Sequence, residues 1–147
     1  MRSRKMAWLA CFWCFVAVAR AGMPPALELV DVYHGGVDLS HYWVSEKFDG
    51  VRGYWDGHHL WTRGGERVRV PDWFTRNWPD VPMDGELWVG YGKFTRASVI
   101  VRNAGPEDPA WHEISYRVFD LPAYGGDFDH RVPAIRRVVA AIGDPWV

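Results

Sequence analysis

Cysteine and lysine are the two scarcities of this 147-residue sequence. Both cysteines, Cys11 and Cys14, fall within the first 21 residues, and only Lys5, Lys47 and Lys93 are lysines among 17 basic residues. Long apolar runs are missing too. The run from Met6 to Val18 holds 13 residues, too few to span a bilayer. It follows the basic start Met1-Arg2-Ser3-Arg4-Lys5 and precedes Ala19-Arg20-Ala21, a small-x-small cleavage pattern. Residues 1–21 therefore read as a secretory signal peptide cut after Ala21, leaving 22–147 as one domain. The expected location is periplasmic or secreted, with no stable membrane association after cleavage.

Removing that leader sharpens the other absences. The mature chain has no thiol, which excludes disulfides, Cys metal sites and a Cys nucleophile. Basic residues drop from 17 to 13 against 18 acidic ones, so the net charge moves from −1 to −5. A whole-chain basic footprint for nucleic acid is excluded. With arginine plentiful, a surviving lysine marks a place that needs an amine rather than a guanidinium.

What is present is globular. Hydrophobic residues make up 48% and charged residues 24%, which rules out a disordered tail, a collagen and a coiled coil. Fifteen Gly and ten Pro favour turns over long helices. Ten Trp are unusual, and those at 43, 55, 61, 73, 78, 88 and 111 are expected to build the core, with a sugar-binding platform as the rival reading. Gly22 to Leu39 reads as an entry segment. Strands are expected at Tyr42–Lys47, Val51–Trp55, Leu60–Arg63 and Val68–Val70, with Asp49-Gly50 and Asp56-Gly57 as turns. A short helix opens at Pro71-Asp72-Trp73-Phe74. Another strand is expected over Met83–Val89, behind an Asp84-Gly85 turn. Helical spacing covers Phe94–Val101, and a strand covers Ser115–Phe119. A helix runs over His130–Ile142, stopped by Gly143 and Pro145. The fold class is α+β: an antiparallel sheet with short helices.

The chemically informative stretch is Glu46-Lys47-Phe48-Asp49-Gly50-Val51-Arg52-Gly53. An amine attacks only when neutral, and neighbouring cations such as Arg52 favour that form. Taken alone, the quartet Lys47-Phe48-Asp49-Gly50 reads better as an exposed hairpin with a Lys–Asp pair. Asp84-Gly85-Glu86-Leu87-Trp88 follows 37 residues later, and Val118-Phe119-Asp120-Leu121-Pro122 follows that. The ordered set resembles the covalent nucleotidyltransferase superfamily of polynucleotide ligases and capping enzymes. With Trp61-Thr62-Arg63-Gly64-Gly65 it is most similar to small periplasmic ATP-dependent DNA ligases of bacteria. The resemblance runs from about Leu29 to the C-terminus.

That resemblance implies a partial nucleotidyltransferase domain, an ATP-grasp-like ligase adenylation fold, and a role for each matching residue. Lys47 is the expected nucleophile on the α-phosphorus of ATP, becoming AMP-lysine. Glu46 meets the adenine through its backbone. Arg52 contacts the ribose or the nick phosphate, and Arg63 binds the 5′-phosphate of the nick. Glu86 holds the ribose and seats a divalent cation, Mg²⁺ or Mn²⁺, and Phe119 stacks on the adenine. The chemistry suits these residue types: phosphoryl transfer needs positioning and charge neutralisation, an Arg fork suits phosphate, and a ring face suits any base. The implied activity is sealing of 5′-phosphate/3′-hydroxyl nicks in double-stranded DNA, as in repair, recombination and replication, by a monomer. NAD⁺ is the less fitting adenylate donor, because nothing upstream could form the nicotinamide-binding domain of that branch.

The resemblance also has gaps. The family's later Glu-Gly and Lys-x-Lys motifs and its DNA-clamping OB-fold domain have no counterpart: no Lys follows Lys93 and no Glu follows Glu113. The expectation is a truncated adenylation domain with little or no sealing activity of its own and an exposed sheet edge. Other residues stay open. Arg63, Arg67, Arg69 and Arg76 are a solvated face or a local DNA stripe. His34, His41 and His58-His59 lack partner carboxylates or thiols and read as surface turn residues. The alternative from another class is a secreted Trp-rich β module that binds carbohydrate or a protein partner without catalysis.

Overall fold

The structure, a computed structural model, describes residues 32–147. The expected export signal, its cleavage point and both cysteines lie outside the described residues. The elements are β1 (Val51–Trp55), β2 (Leu60–Thr62), α1 (Asp72–Thr75), β3 (Met83–Trp88), α2 (Phe94–Asn103), β4 (Ser115–Asp120) and α3 (Phe128–Ile142), with 3-10 turns at Leu39–His41 and Pro109–Glu113. The four strands form one antiparallel sheet in the order β2-β1-β3-β4. An α+β architecture is therefore what the chain adopts. Among the described residues no helix is long and apolar enough to cross a membrane.

The β1–β2 hairpin closes at Asp56-Gly57. The Asp56 carboxylate accepts from the backbone N–H groups of His58 and His59 at 2.8 and 2.6 Å and from the Trp61 indole at 2.7 Å. Gly57 takes φ 100°, a conformation other residues reach only with strain. Pro71 precedes α1 and presets the chain for its first turn. In α2 the buried residues Ala97, Ile100 and Val101 share one face. In α3 Asp127 caps the N-terminus by accepting from the His130 N–H, and Gly143 stops the helix at φ 65°, its N–H on the Val139 carbonyl.

Helices and aromatics cover one face of the sheet. Trp55, Met83, Leu87 and Tyr116 point there and pack with Phe74, Trp78, Ile100, Trp111, Leu121, Ala134 and Ile142 in one core. Phe74 meets the rings of Trp73, Trp78, Trp111 and Trp146, and Trp78 stacks on Tyr116 at 4.6 Å. A buried indole needs an acceptor. Trp55 donates to the Pro79 carbonyl (2.8 Å), Trp111 to Gly105 (3.1 Å) and Trp146 to Phe74 (3.0 Å). The Tyr116 hydroxyl lies 2.9 Å from the Gly53 carbonyl and 3.0 Å from that of Met83, joining the three strands β1, β3 and β4.

Several expectations are corrected. Tyr42–Lys47 is not a strand but an irregular exposed segment. Tyr42–Lys47 pairs with none of the four strands, and the chain enters the sheet only at Val51, between β2 and β3. Trp43 is accordingly outside the core, 56% exposed, while Trp61, Trp73 and Trp88 are half-buried. Asp84-Gly85 is no turn; it lies inside β3, paired with Tyr54 and Gly53 of β1. Val68–Val70 contributes only the edge of a turn, with the Val68 N–H on Leu60 and a lone bridge between Trp61 and Arg67. Trp146, absent from the expected core tryptophans, packs against Trp73 and Phe74. At the outer strand β4, the Tyr116 N–H donates to the Trp146 carbonyl at 2.6 Å, so part of that edge is occupied.

The ladder between β3 and β4 carries one irregularity. Asp84 faces Asp120, but Gly85 faces Val118, which leaves Phe119 with no opposite residue. This β-bulge changes the pitch of β4 on the face away from the core. It depends on Gly85: a Cβ there would lie 2.7 Å from the Arg117 carbonyl oxygen and from the Tyr116 ring.

Candidate functional site

Strand alternation sends a second set of side chains to the face opposite the core. β1 contributes Arg52, β3 contributes Asp84, Glu86 and Trp88, and β4 contributes Arg117, Phe119 and Asp120. Arg52 pairs in register with Glu86, and Glu86 with Arg117.

At the middle of this face Arg52 forks onto Asp84, Nε to Oδ1 at 3.1 Å and an η nitrogen to Oδ2 at 2.5 Å. Asp84 is only 2% exposed. Burial pushes its carboxyl above the ordinary range, against the pull of the Arg52 hydrogen bonds and charge; Asp120 adds to the rise. The same hydrogen bonds raise Arg52, keeping it cationic. The Arg52 guanidinium also sits 5.5 Å from the centre of the Phe119 ring. Phe119 is 40% exposed, so its ring is a surface feature and not core. Asp120, past the bulge, pairs with Arg131 of α3 at 2.7 Å, which ties the end of β4 to that helix.

Towards the far end of β3 lies Glu86. Its Oε1 accepts the Gly50 N–H at 2.9 Å. Burial pushes this carboxyl up; the Gly50 N–H and the charges of Lys47 and Arg52 pull it back. Lys47 is thus close enough for its charge to act on Glu86, while its side chain is exposed. Gly50 is required for the approach, since a Cβ would lie 2.2 Å from the Leu87 carbonyl oxygen. Phe48, next to Lys47, packs edge-on to Trp88 with ring centres 5.0 Å apart. Glu46 accepts a hydrogen bond from the Tyr91 hydroxyl.

Arg52, Glu86 and Phe119 therefore share one side of the sheet, and the exposed Lys47 lies in a segment tied to that side through Phe48 and Gly50. Arg63 does not join them by any contact; it is exposed just beyond β2. Four participants were not singled out as functional in the sequence: Asp84, Arg117, Asp120 and Tyr91. Asp84 was hidden by the Asp-Gly pair, which reads as a turn. The available signal was strand parity, which puts Asp84 on the side of Glu86.

No group of three or more His, Asp, Glu or Cys residues able to hold a metal ion occurs among the described residues. Glu86 has one oxygen engaged by Gly50, and both Asp84 oxygens bond Arg52. These residues fit a cation that keeps most of its waters and touches one carboxylate, the habit of Mg²⁺, and do not form an all-protein cage.

No family model matches the sequence. Over 95 residues, 64% of this chain, it is 37% identical to a DNA ligase of Haemophilus influenzae, covering 35% of that protein. A solved structure from work on Lig E DNA ligases and DNA binding with a minimal scaffold superposes with a TM-score of 0.74 at 38% identity. The match covers 81% of this chain and 47% of that one. The chain thus spans about a third of the curated relative and about half of the solved structure. By these likenesses the chain is similar to DNA ligases over one part of their length.

Proposed function

We propose that this chain is the nucleotide-accepting part of an exported ATP-dependent DNA ligase, a partial nucleotidyltransferase domain with Lys47 as the acceptor. What supports the reading is that Arg52, Glu86 and Phe119 share one face of the sheet and that the segment carrying Lys47 is tied to that face by the Gly50 N–H on Glu86. Neutral Lys47 Nζ attacks the α-phosphorus of ATP. The N–P bond forms, the bond to the pyrophosphate oxygen breaks, and the amine gives up a proton. AMP then passes to the 5′-phosphate of a nick, and the 3′-hydroxyl displaces it.

The chain's residues orient this exchange. Phe119 offers an exposed ring for the adenine, and the Glu46 backbone is assigned to the base by the family resemblance. Glu86 has one oxygen left for the ribose or for a hydrated Mg²⁺ or Mn²⁺, which would neutralise phosphate charge when bound. Arg52, held rigid by Asp84, presents a fixed cation to ribose or phosphate, and exposed Arg63 supplies a second cation for the 5′-phosphate. The partner is nicked double-stranded DNA, the working form is a monomer, and the compartment is the periplasm or outside the cell.

The test is incubation of the purified protein with α-labelled ATP and Mg²⁺, followed by denaturing gel electrophoresis and separate acid and alkali treatments. The expected result is a low level of protein-bound label that acid removes and alkali does not, as a P–N bond requires, and that disappears in Lys47→Ala, with little or no nick sealing. Label that survives Lys47→Ala would move the acceptor elsewhere, and no label at all would overturn the reading.

A further inference from the structure

The residues on either side of Lys47 are both gripped by one small cluster that stands apart from the Arg52–Asp84 pair. Phe48 lies edge-on to Trp88 at 5.0 Å, and Trp88 lies edge-on to Tyr91 at 5.2 Å. The Arg117 guanidinium sits over both Phe48 (5.9 Å) and Trp88 (5.6 Å). The Tyr91 hydroxyl reaches back to the Glu46 carboxylate. So Glu46 is held through Tyr91, and Phe48 through Trp88 and Arg117.

Two features say that this cluster does more than fill space. The Lys47 segment belongs to no strand, so no ladder of backbone hydrogen bonds fixes it. Its backbone tie to the sheet is the Gly50 N–H on Glu86, three residues further on. The Arg117 Nε, for its part, is buried with no hydrogen-bond partner. A guanidinium left without an acceptor is costly unless its π contacts matter to the arrangement.

We infer that Trp88, Tyr91 and Arg117 are positioning residues for Lys47: they clamp Glu46 and Phe48 and so fix the residue between them at the charged face of the sheet. This rests on Lys47 being the acceptor. A displacement of about 1 Å at a reacting group can cost about 100-fold in rate, so the clamp matters to chemistry even though none of its side chains needs to touch ATP.

The experiment uses the full chain and three variants: Tyr91→Phe, which removes the grip on Glu46; Arg117→Met, which keeps an apolar stem over the rings; and Arg117→Lys, which restores a cation. Amide hydrogen exchange is read across residues 45–50, together with the denaturant midpoint and the rate of Lys47 labelling at varied ATP. The expected result is faster exchange confined to 45–50 in Tyr91→Phe and Arg117→Met, with the midpoint little changed. The labelling rate at saturating ATP should fall about 10- to 100-fold while the ATP concentration for half-maximal rate holds. Arg117→Lys should recover part of both. Unchanged exchange at 45–50 in both variants overturns the inference, as does faster exchange spread through the whole sheet. If the unsubstituted chain takes no label, the acceptor role of Lys47 fails, and the exchange data still decide whether the clamp exists.

Discussion

The two faces of the β2-β1-β3-β4 sheet are built on opposite rules. The face beneath the helices is sealed by large rings, among them Phe74, Trp111 and Tyr116, all fully buried. The Trp111 indole and the Tyr116 phenol end on backbone carbonyls, so the polarity they bring in is satisfied. The other face carries charge on neighbouring strands: Arg52, Asp84, Glu86, Arg117 and Asp120. There burial works against the ionised carboxylates, and ion pairs and single N–H donors offset it. The first face gives the chain its stability. The second holds carboxyls that burial raises above their ordinary range, with an arginine and a backbone N–H pulling them back.

The contrast can be broken most severely from the packed side. Trp111→Ala or Phe74→Ala should cost about 3–5 kcal/mol, read as a large fall in the urea midpoint, and could leave the chain unfolded. Next comes Gly85→Ala, which sits where the faces meet. Its Cβ would strike both Tyr116 and the Arg117 carbonyl, and the expected loss is about 1–3 kcal/mol with disturbed β4 amide shifts in NMR spectra. A loss below that range would mean that the strand yields at the bulge. Tyr116→Phe removes the hydroxyl between the Gly53 and Met83 carbonyls and should cost about 1 kcal/mol, with the polar face unaltered.

From the polar side the effects on stability are smaller and of a different kind. Because the folded Glu86 carboxyl is raised above its ordinary 4.5, the native state binds protons more readily than the unfolded chain. Its contribution to stability therefore falls as pH rises from about 4.5 through the raised value, then levels off. Glu86→Gln should flatten the unfolding free energy over that window, and an unchanged profile would show that Glu86 is more solvated than the structure implies. Smallest of all for stability is Lys47→Ala. The side chain is exposed, so stability should change by less than about 0.5 kcal/mol while alkali-stable, acid-labile labelling by ATP is lost. Those two opposite outcomes for Lys47 and Trp111 would separate the faces cleanly.

Much of the frame was legible because periodicity is a local signal. The alternation of β1 and β3, the spacing of Ala97, Ile100 and Val101, and the Gly143 stop each sit within one element. What escaped depends on partners distant in sequence. Tyr42–Lys47 has strand-like residues, but a strand needs a partner, and this segment makes its contacts through side chains such as Glu46 on Tyr91. Asp84-Gly85 has a turn's residues, but Arg52 and the Tyr116 ring require that pair inside a strand. Trp146 finds its place only when α3 returns the chain to α1 and β4. The site was legible to the extent that its motifs were: Lys47, Arg52, Glu86 and Phe119 could be named, whereas Asp84, Arg117 and Tyr91 emerge from strand parity and loop contacts.

Phe119 occupies a position that the scaffold does not need. Asp120 and Val118 keep consecutive partners, Asp84 and Gly85, so the ladder would run in step if that aromatic were simply missing. It is supernumerary. The sheet has made room for one guest ring without turning Tyr116 away from the hydrophobic interior or Arg117 away from the charged surface. An exchange of this side chain would leave the Asp120–Asp84 and Val118–Gly85 pairings in place and take from the Arg52 guanidinium the ring it rests against.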